Sequence, residues 1–194
     1  MKTIRQYIDL IEAHGVIAPY DGDGPLWHGT DLLALAGIIA SNEISRSIDA
    51  DGYNTPEVRG VSLTTDQGIA WSFADRSSYI FSQNHCHAMD EIPGKPSVPT
   101  RGAVIEFSAQ KLRTKFKLVH YEDDDNNDEE EIRVMCLGIS PVLPFITGFG
   151  FDPDDLKWFL AYCDTRDCSH DYSDTQSLKT NLMNLVRHPL FQNK

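Results

Sequence analysis

Two glutamates in the second half of the chain, Glu129 and Glu131, have the spacing for chemistry on a sugar. They lead into the alternating apolar residues Ile132, Val134 and Cys136. This alternation predicts a strand, whose period of two puts both glutamates on one face about 7 Å apart. Such a pair suits substitution at a sugar carbon, because one carboxylate can stabilise an oxocarbenium-like state while the other orients or deprotonates the acceptor.

A second candidate group surrounds His28. This histidine follows Trp27 at the end of a short predicted strand and precedes Gly29. Its imidazole can therefore face a cleft, and the glycine would let a ligand approach the backbone closely. The N–H and C=O groups of Gly29 could then hold a carboxamide. An isolated His-Gly-Thr triplet is nevertheless more often an ordinary histidine beside a turn.

Three hydroxyl residues form the third group. Ser62 and Thr64 alternate along a predicted strand, so their hydroxyls would share one wall of a cleft, and Thr65 follows at the strand exit. Ordinary β-propensity and helix capping explain these residues equally well. The hydroxyl residues support a functional site only in combination with the first two groups.

The strands and helices predicted around these groups indicate an α+β protein. A strand at 26–28 is followed by a helix that Thr30 or Asp31 caps, and a strand at 60–64 is followed by a helix that Thr65 or Asp66 caps. The second helix is predicted to turn Ile69, Ala70 and Phe73 inward. The remaining predictions are a helix in 2–14, a long loop at 82–101, strands at 103–107, 116–120, 132–138 and 142–151, and helices beginning at 153 and 178.

The composition limits both the architecture and the partners. The chain has 194 residues, 41% of them hydrophobic, which suits a single domain with an N-terminal helix in 1–20, a core in 21–151 and a helical extension in 152–194. The sequence has neither a run of roughly 20 apolar residues, as needed to span a membrane, nor the pattern of a secretory signal peptide. We therefore expect a cytoplasmic protein without a membrane partner. The net charge of −12 makes nucleic acid a less favourable partner.

The cysteines and several histidines could in principle bind zinc. The cysteines at positions 86, 136, 163 and 168 form no CxxC pair, and a buried free thiol is the ordinary interpretation of Cys136. The spacing of the candidate ligands also matches none of the usual zinc pairs; these ligands are His85, Cys86, His87, Cys163, Cys168 and His170. We therefore expect neither a metal site nor a disulfide framework.

Three segments in order resemble the ADP-ribosyltransferase superfamily, which contains the poly-ADP-ribose polymerases and the bacterial and phage mono-ADP-ribosyltransferases. The opening Pro25-Leu26-Trp27-His28-Gly29-Thr30 and its helix are similar to the polymerases' His-Gly-Ser or His-Gly-Thr strand and helix. The middle segment, Gly60-Val61-Ser62-Leu63-Thr64-Thr65-Asp66, resembles the Ser-Thr-Ser strand of other branches. The last segment, Glu129-Glu130-Glu131-Ile132, is similar to the Glu-x-Glu of mono-ADP-ribosyltransferases. The resemblance covers about residues 25 to 150.

The resemblance implies a fold of two packed, mainly antiparallel sheets with flanking helices and a helical C-terminal extension. It also implies that NAD is the substrate, that His28 contacts the nicotinamide-side ribose and that Gly29 contacts the carboxamide. By the same resemblance Glu131 is catalytic, since it grips the ribose 2′-hydroxyl, and Glu129 engages the acceptor. The residues that would bind NAD are His28, Gly29, Thr30, Ser62, Thr64 and Thr65, with the middle hydroxyls also steadying the catalytic glutamate.

The expected activity is mono-ADP-ribosyl transfer from NAD to a macromolecular acceptor, with a protein as the first choice, and release of nicotinamide. The alternatives are an NAD glycohydrolase, in which water replaces the acceptor, and a non-catalytic inhibitor or decoy that binds a basic partner through its acidic surface. RNA 2′-phosphate transfer on a related fold is disfavoured, because few basic residues lie near the motifs.

Overall fold

Nine strands and five α-helices form the part of the chain that the structure describes. The computed structural model describes residues 17–45, 60–84, 102–121, 131–136, 138–164 and 175–192. The strands are β1 (Ile17–Pro19), β2 (Pro25–Thr30), β3 (Ile44–Ser45), β4 (Val61–Thr64), β5 (Ala103–Ser108), β6 (Leu118–Tyr121), β7 (Glu131–Val134), β8 (Gly138–Ile139) and β9 (Ile146–Phe151). The helices are α1 (Leu32–Ser41), α2 (Gln67–Asn84), α3 (Ala109–Arg113), α4 (Pro153–Cys163) and α5 (Thr175–Leu185).

Seven of the strands form one antiparallel sheet in the order β1-β6-β7-β4-β2-β5-β9, and β3 pairs with β8 in a small second sheet. The α+β class and the mainly antiparallel pairing of the strands are therefore confirmed. The large sheet is weakly joined at its centre, because β2 and β4 share a single register pair, Trp27 opposite Thr64. This division separates a four-stranded half, which ends at β4, from a three-stranded half, which begins at β2.

The main core lies on one face of the large sheet, beneath α1, α4 and α5. Leu26, Ile105 and Phe107 point from the strands into this core, where they join Trp158 and Phe159 of α4. The opposite face carries α2. There Ala70 and Ala74 of the helix pack on Val104, with Trp27 and Trp71 beside them. Helices thus pack on both faces of the three-stranded half of the sheet.

Local hydrogen bonds explain where the two strand-to-helix units turn. Asp31 caps α1 by accepting from the N–H of Ala34 at 2.8 Å. Asp66 similarly accepts from the N–H groups of Gly68 and Ile69 at the start of α2. Aspartate thus serves as the cap in both units, where the sequence had left a threonine as the alternative.

Asn42 ends α1 and ties it to a distant loop. It is the one non-glycine residue with a positive φ, 57°, among those described, and asparagine tolerates this left-handed conformation. Its side-chain oxygen accepts from the N–H groups of Val142 and Leu143 at 3.0 and 2.8 Å. One residue therefore fixes both the end of the helix and the entry to the last strand.

Several boundaries differ from the prediction. Phe73 is 38% exposed rather than inward, because Ala70 and Ala74 form the packed stripe of α2. Residues 82–84 continue α2, so the predicted loop does not begin at 82. Residues 17–19 are a strand, so no helix extends through 1–20, and the helical pattern in 2–14 lies outside the described residues. The predicted strand at 132–138 is two strands in different sheets, and 143–145 of the predicted strand at 142–151 form a 3-10 turn.

The C-terminal extension is helical as predicted, with α4 beginning at Pro153 and α5 beginning at Thr175. After α5 the chain returns to the large sheet, where Phe191 bridges Phe149 on the edge strand β9. The ring of Phe191 also stacks on that of Phe151, with centroids 4.8 Å apart. Among the described residues, no helix is both long and apolar enough to cross a membrane.

Candidate functional site

Three of the predicted site residues, His28, Ser62 and Glu131, lie close together at the central division of the large sheet. Ser62 lies on β4 and Glu131 at the start of β7, and these two strands are paired along their length. His28 lies on β2, across the division from Ser62. The strands that carry these residues come from three separate parts of the sequence, so the sheet itself brings the three segments together.

A short hydrogen bond joins Ser62 to Glu131. The serine hydroxyl donates to the carboxylate oxygen Oε1 at 2.5 Å. The contact follows from the register, because Ser62 lies opposite Arg133 and Thr64 lies opposite Glu131 on the same face of the sheet. A hydroxyl that donates to a carboxylate restricts the rotation of the carboxylate group.

His28 is joined to the same serine through the main chain. Its Nδ1 lies 2.9 Å from the carbonyl oxygen of Ser62. A carbonyl only accepts, so Nδ1 carries the proton. Burial lowers the pKa of His28 below its usual 6.5, and the hydrogen bond to Ser62 opposes this shift only in part. The neutral ring therefore presents Nε2 as a hydrogen-bond acceptor.

The lowered pKa of His28 predicts a pH effect on stability. As the pH falls through about 6.5, the unfolded chain takes up a proton on this imidazole while the folded protein does not. Stability contributed by the neutral ring is therefore present above pH 6.5 and is lost as the pH falls towards the lower pKa of the folded state. An NMR titration should place the His28 imidazole below 6.5. A measured value at or above 6.5 would contradict this account of the ring.

Gly29 is surrounded by protein on its side-chain face. A Cβ atom placed there would lie 1.9 Å from the carbonyl oxygen of Ala70 and 2.8 Å from the amide nitrogen of Ala74. Both atoms belong to the backbone of α2. The absence of a side chain at this position is thus explained by the close approach of a helix, where the sequence had suggested the close approach of a ligand.

The predicted threonines are placed differently from one another. Thr30 and Thr64 are 8% and 5% exposed. The hydroxyl of Thr64 accepts from the N–H of Asp66 at 3.1 Å, so it supports the turn into α2. Thr65 is partly buried in that turn. Glu129 lies outside the described residues, and its predicted role in engaging the acceptor stays a prediction.

Two side chains beside Glu131 were not singled out from the sequence. Arg133 donates through Nε to Glu131 Oε1 at 2.8 Å and through Nη2 to Oε2 at 3.3 Å. Tyr121 lies opposite Glu131 on β6, and the Arg133 guanidinium carbon lies 4.0 Å from the centre of its ring. The available signal was the period of two on β7, which puts Arg133 on the same face as Glu131.

The two oxygens of the Glu131 carboxylate differ in how many further hydrogen bonds they can accept. Oε1 accepts from both Ser62 and Arg133, whereas within the described residues Oε2 accepts only from Arg133. A carboxylate oxygen has two lone pairs, so Oε2 is the oxygen that can take a further donor. The glutamate side chain is 17% exposed, which leaves a route for a ligand hydroxyl.

The described residues bring together no group of three or more histidine, cysteine or acidic side chains that could hold a metal ion. Cys163 is buried, and Cys136 is a partly buried free thiol. Burial raises the pKa of Cys136, so its thiol stays protonated and a poor nucleophile. The other candidate zinc ligands of the sequence lie outside the described residues.

Comparison of the chain with protein-family models, with curated proteins and with solved structures gave no match. The functional interpretation therefore depends on the residues of this chain and on their geometry.

Proposed function

We propose that this protein binds NAD and transfers its ADP-ribose to a protein acceptor, with release of nicotinamide. The observation that carries the proposal is the chain of contacts through Ser62. Its carbonyl oxygen accepts from His28, and its hydroxyl donates to Glu131 at 2.5 Å. Three residues chosen from three separate segments of the sequence are thereby connected at one place in the fold.

In the proposed reaction the two ends of the site have distinct tasks. His28 offers Nε2 as an acceptor for a hydroxyl of the nicotinamide-side ribose, while Oε2 of Glu131 takes the ribose 2′-hydroxyl. As the bond from the anomeric carbon to nicotinamide breaks, its electron pair leaves with the nicotinamide nitrogen, and positive charge grows on the sugar. The Glu131 carboxylate stabilises this charge, because it is already held in place before the reaction.

The acceptor then forms the new bond to the anomeric carbon. Its nucleophilic atom attacks the face opposite to the departing nicotinamide and gives up a proton to a base. We assign this base to Glu129, from its position two residues before Glu131 on the same predicted strand face. If water took the place of the acceptor, the same site would hydrolyse NAD.

The division of the large sheet supports a finer description of the fold. A four-stranded half and a three-stranded half that share one register pair fit an ADP-ribosyltransferase-like core of two sheets with the substrate cleft between them. Ser62 and His28 face each other across this division. We infer that NAD lies bent along it, with the nicotinamide end at Ser62.

The function can be tested with NAD that is labelled in its adenylate moiety. We expect the purified protein to release nicotinamide and, when a cell lysate is added, to transfer the label to protein. Release of nicotinamide with no labelled macromolecule would identify a glycohydrolase instead. No release with or without lysate, no NAD-dependent thermal shift and a stable partner pulled down from the lysate would together identify a non-catalytic binding module.

A further inference from the structure

Arg133 donates to both oxygens of the Glu131 carboxylate. Its Nε and Nη2 atoms donate to the two carboxylate oxygens at 2.8 and 3.3 Å. The arginine and glutamate side chains are 21% and 17% exposed, so the pair is screened less by water than a surface ion pair. The planar guanidinium grips the carboxylate at both oxygens and thereby sets the plane of the group.

The guanidinium is itself held in place by an aromatic ring. Its carbon lies 4.0 Å from the centre of the Tyr121 ring, within the range of a cation–π contact. Tyr121 is the cross-strand neighbour of Glu131 on β6, so the ring supports the ion pair from the adjacent strand. Strands β4, β7 and β6 thus each supply one side chain to the support of a single carboxylate.

We infer that Arg133 is a positioning residue that aims Oε2 of Glu131 at the substrate hydroxyl. The inference rests on the proposed function. Because Ser62 and Arg133 both bind Oε1, rotation of the carboxylate would break both of these hydrogen bonds. The position that keeps acceptor capacity is therefore always the same one. With the serine contact alone, the plane of the carboxylate could rotate, and the open lone pair would not stay aimed in one direction.

A positioning role makes a specific prediction for NAD cleavage. We expect Arg133→Gln to lower kcat for nicotinamide release roughly 10- to 100-fold with little change in KM, because a misaimed catalytic group slows the chemical step more than it weakens binding. Arg133→Lys keeps the charge and loses the two-point grip, so it should recover only part of the rate. Arg113→Gln is the matched control, since Arg113 pairs with Asp23 on the surface, away from the site.

Two further measurements separate positioning from a general structural role. Methylguanidinium at millimolar concentration should restore part of the rate of Arg133→Ala, and it should leave the wild type and Arg113→Gln unchanged. In a Glu131→Gln background, Arg133→Gln should have no additional effect on kcat, because the arginine acts through the carboxylate. The melting temperature of each variant reports whether the fold is intact.

The outcomes separate the failure of this inference from the failure of the proposed function. A wild-type protein that releases no nicotinamide overturns the proposed function and the role of Arg133 with it. An active wild type with equal activity in Arg133→Gln overturns the positioning role alone. A loss in Arg133→Gln that persists at full size in the Glu131→Gln background, or that methylguanidinium does not relieve in Arg133→Ala, likewise overturns it.

Discussion

Glu131→Gln should lower the rate of nicotinamide release from NAD at least ~100-fold while the protein stays folded. The substitution keeps the size of the side chain and an oxygen that can accept from Ser62 and Arg133. It removes the negative charge that would stabilise the developing positive charge on the ribose. The expected loss is therefore in kcat, with a smaller change in KM, because the charge acts in the transition state. Initial rates of nicotinamide release across a range of NAD concentrations measure both.

The matched control for this experiment is Glu106→Gln. Glu106 lies on β5 of the same sheet, and its carboxylate accepts from the hydroxyl of Thr147 at 2.9 Å. The control removes one carboxylate charge from the sheet without touching Ser62 or Arg133, so it should keep nearly the wild-type rate. Equal rates in Glu131→Gln and the wild type, with melting temperatures that agree, would show that Glu131 is not the catalytic carboxylate.

The strand pattern of the sequence predicted part of the local geometry of the candidate site. Alternation along a strand is a local property, so the shared face of Ser62 and Thr64 could be derived from the spacing alone. The contact between Ser62 and Glu131 spans 69 residues and depends on which strands become neighbours. Order along the chain gives no direct information on that choice, and only the resemblance suggested that a serine would steady this glutamate.

Arg133 shows what a list of motifs leaves out. It lies two residues after Glu131 and therefore on the same face of the strand, but the spacing alone does not show that the two side chains form an ion pair. The Arg133 guanidinium contacts the ring of Tyr121 on β6. In the sequence an acidic segment separates Tyr121 from Arg133, so the spacing gives no sign of this contact. The same limit applies to Phe73, whose spacing fits an inward helical stripe, although α2 packs through the smaller Ala70 and Ala74. Close packing of a helix on a sheet favours small residues, and hydrophobicity alone does not report this requirement.

The structure explains Gly29 by the close approach of a helix, whereas the sequence suggested the close approach of a ligand. Gly29→Ala should therefore destabilise the protein by at least about 3 kcal/mol. The new methyl group would overlap the carbonyl oxygen of Ala70, with 1.9 Å between the two atoms. That oxygen is part of the α2 backbone, so relief requires a shift of the helix or of β2. Either movement disturbs the contact of Ala70 and Ala74 with the sheet. Thermal and urea unfolding measure the change.

Gly37→Ala provides the matched control, because it makes the same change in the exposed part of α1. A Cβ at Gly37 meets nothing within 4 Å, so alanine should stabilise the helix by roughly 0.5 to 1 kcal/mol. Opposite signs for the two substitutions would assign the cost at Gly29 to the crowded helix contact. If Gly29→Ala unfolded at the wild-type midpoint, the packing explanation would be wrong.

The same pair of variants also decides how an activity measurement at Gly29 is to be interpreted. Loss of NAD cleavage in a destabilised Gly29→Ala protein follows from displacement of β2, which carries His28 next to the glycine. It would then give no support to a carboxamide contact at Gly29. Only a variant that stays as stable as the wild type and still loses NAD binding would assign the backbone of Gly29 to the nicotinamide. The structure predicts the first result, since the space that a ligand would need on the side-chain face is filled by α2.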